Sequence, residues 1–254
     1  MAIELPEKPA ELETPKARAY KVIGTRPVRP DGADKVTGRA VYGADIRLTG
    51  MLRGRVLRSP HSHARILSVD TSKAEALPGV KAVVTGRDWP ALADKFEDTG
   101  EDVVNLSDLG HNLLAVDKVL YKGHAVAAVA AIDDGVAQQA LSLIEVQYEP
   151  LPAVFDVRES MKAGAPLLSN KRFTDEMGKK AEKPSNIGRH ARFDVGNLEQ
   201  GFAQADVVLE HEYRTQMVHQ GYIEPHTSTA YWNMDGSLTV WTSTQGAFGV
   251  RDTL

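Results

Sequence analysis

The chain has 254 residues, no cysteine and a formal net charge of -4. The missing cysteine excludes disulfides, thiolate zinc sites, iron–sulfur ligation and a catalytic thiol from this polypeptide, and the mildly acidic balance offers no basic face for nucleic acid. At 42% hydrophobic and 25% charged residues, the composition is that of a soluble globular protein with room for one large or two ordinary domains.

The chain opens on Met1 to Glu7, acidic and proline-broken, so no secretory signal is expected. Residues 1–20 read as an extended arm, with Pro6, Pro9 and Pro15 among Glu and Lys and no apolar period. Gly24 to Gly38 is dense in turn formers and reads as ordered loop. Met51–Arg58 and Ala64–Val69 read as strands. Ser72-Lys73-Ala74-Glu75 has the form of a capping box, and its short helix ends at Pro78-Gly79 before a strand over Val80–Val84. The pattern recurs. Ala125–Ile132 is a continuous apolar run, as expected of a buried strand. Asp133 and Asp134 cap a helix with Val136, Ala140 and Leu143 on one stripe, and Glu145–Tyr148 is strand again. The longest apolar run falls far short of a membrane span, and a cytoplasmic location without membrane insertion is expected.

Two strand–helix–strand units predict a domain of mixed sheet and helices over about 21–160. Residues 161–189 are poor in apolar side chains, and Lys171–Arg189 reads as a surface linker. A helix is expected over Asn197–Ala205 and a long strand over Asp206–Gln216. A β-hairpin comes next, its strands within Gly221–Trp232 and Leu238–Arg251, joined through Asp235-Gly236, the strongest short hairpin signal. A second, β-rich domain thus begins by about 190. With the chain ending soon after a glycine-rich stretch, that domain reads as incomplete over 190–254.

Few residues suggest chemistry. His61 and His63 form a His-x-His pair able to share one strand face and bind a metal, although no third ligand lies nearby and a polar loop is the plainer reading. His219, Glu224 and His226 form a small His/Glu set near the hairpin, read either as a metal site or as a hydrogen-bonded cluster shaping the turn at Pro225. Gln245 stands at a strand-to-loop junction beside Gly246, Ala247 and Gly249, small residues that let backbone approach a ligand. No phosphate loop, dinucleotide fingerprint or serine elbow is present.

These segments resemble the large, molybdopterin-binding subunit of the xanthine dehydrogenase/aldehyde oxidase family of molybdenum hydroxylases. Asp34 to Asp45 is similar to the family's opening segment. Arg58-Ser59-Pro60-His61-Ser62-His63-Ala64-Arg65-Ile66, with Leu77-Pro78-Gly79-Val80 after it, is similar to its most distinctive early signature. Tyr121 to Ala130 and Val146 to Pro152 complete the likeness to its a/b hammerhead domain. The family commonly has Gly-Glu-Pro where this chain has Gly123-His124-Ala125. Glu224-Pro225-His226 and Ser243-Thr244-Gln245 resemble the start of the cofactor domain.

The resemblance implies an α+β fold, a hammerhead domain followed by the first β-rich portion of a molybdenum-cofactor domain. It implies an oxidoreductase that hydroxylates an aldehyde, N-heterocycle or related carbon with oxygen from water. The cofactor would be of the molybdopterin type, with the cytosine dinucleotide form among the candidates. Electrons would pass to a [2Fe-2S] small subunit and an FAD-binding subunit. The position matching Gln245 hydrogen-bonds an oxo ligand of molybdenum, and Gly246, Ala247 and Phe248 would line the same pocket. No residue here is a direct metal ligand. The family's Gly-Gly-x-Phe-Gly loop and its catalytic glutamate lie beyond Leu254, and Glu224 is not that glutamate. The chain is therefore expected to act with the remaining molybdenum-domain polypeptide. The alternative is a non-catalytic docking subunit of such a complex.

Overall fold

The computed structural model describes residues 20–90, 92–98, 103–193 and 195–254; residues 1–19, within the expected arm, lie outside it. The elements begin with α1 (Gly32–Val36), a 3-10 turn (Gly43–Asp45), β1 (Arg53–Arg58), β2 (Ala64–Asp70), α2 (Ser72–Glu75) and β3 (Val80–Thr85). Next come β4 (Phe96–Asp98), β5 (Val103–Asn105), α3 (Leu106–Leu113), β6 (Lys118–Val119), β7 (Ala125–Ala131), α4 (Asp134–Leu143) and β8 (Glu145–Pro150). The chain continues through α5 (Val157–Met161), β9 (Phe173–Glu176), β10 (Lys179–Pro184), β11 (Arg189–His190) and α6 (Leu198–Gln204). It closes with β12 (Ser228–Trp232), β13 (Leu238–Thr242) and α7 (Ala247–Thr253). The chain divides into two compact units. The larger holds residues 47–224 and 244–254, the smaller residues up to Ile46 together with 225–243. The Asp34 to Asp45 segment, read in the sequence with the hammerhead, thus groups with the hairpin.

The larger unit is organised by β7. It is the middle strand of an antiparallel sheet ordered β1-β7-β3. A second antiparallel sheet is ordered β6-β2-β8. Side chains alternate along a strand, so β7 feeds two cores. Ala127, Val129 and Ala131 face a cluster with Ala74 of α2 and Ala137, Ala140 and Leu141 of α4. Val126 faces the other way, into a cluster with Ala64, Ile66, Ala115 and Val119. Alanine on both facing surfaces lets helix and strand approach closely, which is why a run of small residues makes a centre here.

The two strand–helix–strand units are present, but neither is a parallel crossover. The β2-α2-β3 unit leaves one sheet and enters the other, and β7-α4-β8 makes the reverse passage. The helices α2 and α4 pack on each other, and α4 packs on β1 and β7. Asp133 caps α4, its carboxylate accepting the Val136 N–H at 2.8 Å. The capping box expected at Ser72 and Glu75 is not made. Ser72 is already the first helical residue, the Asp70 carboxylate accepts its N–H at 3.0 Å, and Glu75 instead accepts from Thr71 Oγ1 at 2.5 Å.

Lys171–Arg189, read as linker, carries a small sheet ordered β10-β9-β11, with β10 antiparallel and β11 parallel to β9. Its strands hide from an apolar count because they hold together through polar contacts. Asp175 accepts the Gly178 N–H at 2.7 Å, Lys180 lies 4.0 Å from the Phe173 ring, and Arg189 pairs with Asp175 at 3.4 Å. The strand expected over Asp206–Gln216 is absent. Val207 and Leu209 are exposed, and no described strand pairs with the segment. Alternation alone cannot make a strand without a ladder partner. The helix expected over Asn197–Ala205 is present as α6, capped by Asn197, whose side chain accepts the Gln200 N–H at 2.9 Å.

In the smaller unit β12 and β13 form the expected antiparallel hairpin, shorter than the sequence suggested. Gly236 takes φ +84°, and Asp235 accepts from Ser237 N–H at 2.9 Å. The 3-10 turn packs against β12. No helix among the described residues is long and apolar enough to cross a membrane.

Candidate functional site

Gln245 lies in a bend between β13 and α7, with its side chain exposed. The glycine-rich stretch after β13 is not loop, as expected, but the start of α7. Gly246 is its N-cap residue, and the Gly246 N–H already donates to Thr244 Oγ1 at 3.0 Å. That turn anchors the backbone beside Gln245 and leaves the Gln245 carboxamide without a hydrogen-bond partner among the described residues. Gly246 is half-buried, Ala247 exposed, and Phe248 projects from the first turn of α7, 73% exposed. The Arg251 guanidinium lies 5.3 Å from the Phe248 ring, a cation–π distance.

This donor set fits an anionic oxygen ligand. A primary amide offers two N–H donors without a charge, on a backbone held by a turn, beside a residue lacking Cβ. That is the chemistry required to hydrogen-bond an oxo group fixed on a cofactor.

The histidine sets behave differently from a metal site. His61 packs edge-on against the Tyr148 ring at 4.9 Å, while buried His63 contacts the Pro152 carbonyl through Nδ1 at 2.6 Å. The two rings make separate contacts, and the buried His63 Nε2 has no hydrogen-bond partner among the described residues. His219 Nδ1 accepts the Gly221 N–H at 3.0 Å, and its ring lies 4.9 Å from that of Tyr222. Among the described residues no group of three or more His, Asp or Glu side chains is placed to hold a metal ion.

Two features escaped sequence reasoning. One is a cavity of about 910 Å³ within the larger unit, lined among others by His63, Asp108, His111, Lys118 and Arg172. Burial pushes the Lys118 ammonium below the ordinary lysine range, and Arg172 pairs with Asp108. The other is His124, completely buried. Its only sequence signal was the departure from Gly-Glu-Pro.

Comparison with known proteins places these features. Residues 37–152 match the family model described as aldehyde oxidase and xanthine dehydrogenase, a/b hammerhead domain, and residues 179–254 match that of the molybdopterin cofactor-binding domain. The chain is 36% identical to a probable xanthine dehydrogenase subunit of Bacillus subtilis over 88% of its own length and 27% of the relative's. It is 32% identical to the nicotinate dehydrogenase large molybdopterin subunit of Eubacterium barkeri over 89% of its own length and 48% of the relative's. A solved CO dehydrogenase from Oligotropha carboxidovorans superposes with a TM-score of 0.73 at 35% identity, over 91% of this chain and 28% of that one. The chain thus spans between about a quarter and a half of the length of these curated relatives. With a hammerhead match followed by a cofactor-domain match, the chain belongs to the xanthine dehydrogenase/aldehyde oxidase family and corresponds to part of its molybdopterin-binding large subunit.

Proposed function

We propose that this chain is the N-terminal part of the catalytic subunit of a molybdenum hydroxylase and that Gln245 is its contact to the cofactor. The observation that carries the proposal is the Gln245 carboxamide, exposed and without a hydrogen-bond partner among the described residues, on a backbone that the Thr244–Gly246 turn fixes, in a chain of molybdopterin-binding family. When bound, the cofactor supplies a two-electron oxidation in which a substrate C–H becomes C–OH with oxygen from water, releasing two protons and two electrons.

The chain's own part is binding and orientation. Gln245 donates an N–H to an oxo oxygen and holds the group in one orientation. Gly246 admits the group close to the backbone, while Ala247 and Phe248 wall the same space. The base that removes a proton belongs to the remainder of the subunit. In this reading residues 21–160 serve as the hammerhead, 190–254 open the cofactor domain, and 161–189 connect the two. The substrate is an aldehyde, an N-heterocycle or a related carbon centre. The cofactor is a molybdopterin, including its cytosine dinucleotide form, and electrons leave through [2Fe-2S] and FAD partner subunits in the cytoplasm.

The test is the metal and pterin content of the assembly purified from its own cells. Stoichiometric molybdenum and pterin are expected, with Gln245→Ala slowing turnover roughly 10²- to 10³-fold, the loss typical of one oxyanion-type donor, and thermal unfolding unchanged. A complete assembly lacking both would overturn the proposal and favour a docking module. Unchanged turnover in Gln245→Ala would remove Gln245 from the site.

A further inference from the structure

His124 is the largest fully buried side chain among the described residues, and both of its ring nitrogens are engaged. Nδ1 lies 3.2 Å from the Leu120 N–H, which can only donate, so Nδ1 carries no proton. Nε2 lies 2.9 Å from the His111 carbonyl, which can only accept, so Nε2 carries one. The two contacts define one neutral tautomer. They also join two parts of the larger unit, since Leu120 belongs to the β6–β7 turn and His111 to α3. The Tyr121 ring stacks on His124 at 4.5 Å, and its hydroxyl donates to Asn112 of α3 at 2.8 Å. The ring therefore fastens α3 to the sheet, and α3 supplies Asp108, His111 and Asn112 to the wall of the 910 Å³ cavity.

We infer that His124 is a proton-operated latch: the neutral ring holds α3 against the β6–β7 turn, and a proton on Nδ1 releases it. A proton there would face the Leu120 N–H, destroy that hydrogen bond and leave a cation without water. The titratable groups whose contacts reach the ring are His111 on α3, whose own charge would repel an imidazolium, and the stacked Tyr121, while Arg58 of β1 donates to the adjacent Gly123 carbonyl at 2.9 Å. The His111 carbonyl holds a proton on Nε2, but none of these groups is a carboxylate that would hold an imidazolium in place. Burial accordingly pushes the ring below the ordinary histidine range, so the latch is closed at neutral pH and opens in acid.

Hydrogen exchange on the full chain, in the assembly it forms, reads the latch directly. Between about pH 7.5 and about pH 5, protection of the α3 amides should fall about tenfold or more after correction for intrinsic exchange, tenfold per pH unit being the limit for a single proton. The β7 amides should keep their protection. His124→Gln offers a carboxamide acceptor and donor in place of the two nitrogens and should flatten the response. His111→Gln, which keeps the accepting carbonyl, should preserve it, and it decides the matter if His124→Gln does not fold. Equal loss in His124→Gln, abolition of the response by His111→Gln, or joint loss of α3 and β7 protection would overturn the inference.

Discussion

The Gly79 carbonyl accepts the Ile132 N–H at 3.0 Å, and the side of Gly79 where a side chain would stand faces the Ile132 side chain. A methyl at Gly79 would come within 3.0 Å of Ile132 Cδ1 and 3.3 Å of Val136 Cγ1, at a φ of +98° that L residues rarely adopt. Both crowding and backbone strain act at one position. Gly79→Ala should lower stability by about 1–3 kcal/mol. Denaturant unfolding would measure it, and a shift below about 0.5 kcal/mol, the range of a neutral surface change, would show that the turn relaxes freely.

The double role of β7 makes its large residues costly to trim. Val129 is 2% exposed, at the centre of the cluster shared with α2 and α4. Val129→Ala should cost about 2 kcal/mol, two buried methylene equivalents plus a residual cavity. The midpoint of chemical denaturation should fall with no change in slope.

Two neighbouring aspartates at the start of α4 separate a cap from an exposed ion pair. Asp133→Ala removes the carboxylate that accepts the Val136 N–H and should cost about 1 kcal/mol. Asp134 pairs with Arg55 at 2.6 Å, both largely exposed. Asp134→Asn should change stability far less than Asp133→Ala does, and less still in high salt. Equal losses would mean that the pair, not the cap, sets the helix start.

The stability of the larger unit should depend on pH through His124. Its folded-state affinity for a proton lies below that of an unfolded histidine, because of burial. The unfolded chain therefore binds more protons in mild acid, and stability falls with decreasing pH there. The contribution is fully present above about pH 6.5, the unfolded histidine value, and is lost as pH drops through the lower folded value. Thermal unfolding from about pH 8 to about pH 5 should show this loss in the native chain and a smaller one in His124→Gln.

At Gln245 charge should matter more than size. Gln245→Glu replaces two amide donors with a carboxylate that only accepts at neutral pH. If Gln245 faces an oxo group, the glutamate should impair turnover more than Gln245→Ala does. Molybdenum content measured on both variants separates loss of the cofactor from loss of its orientation.

Periodicity and turn chemistry revealed much of the architecture. The buried run of β7, the Asp133 cap, the Pro78-Gly79 stop and the Asp235-Gly236 hairpin were all legible, because each depends on residues close in sequence. The motif order from Asp34 to Gln245 was likewise enough to identify the family. The β9–β11 sheet was illegible, since its strands are joined by ion pairs and a cation–π contact that leave no apolar alternation. The strand read at Asp206–Gln216 shows the converse, a local pattern without a ladder partner.

What the sequence by itself determined was the family, through the order of its motifs, and those strands, helices and turns whose signals are local, such as β7, the Asp133 cap and the Asp235-Gly236 hairpin. Only the tertiary structure decided which strands share a sheet, so that β2 and β3, and likewise β7 and β8, lie in different sheets. It also decided that the His61, His63 and His219 side chains make separate packing and hydrogen-bond contacts and share no metal site, and that His124 is a sealed bridge to α3. The physical reason is common to all three. Strand pairing and burial depend on what distant segments bring alongside, and the state of an imidazole depends on which N–H and C=O groups meet its two nitrogens.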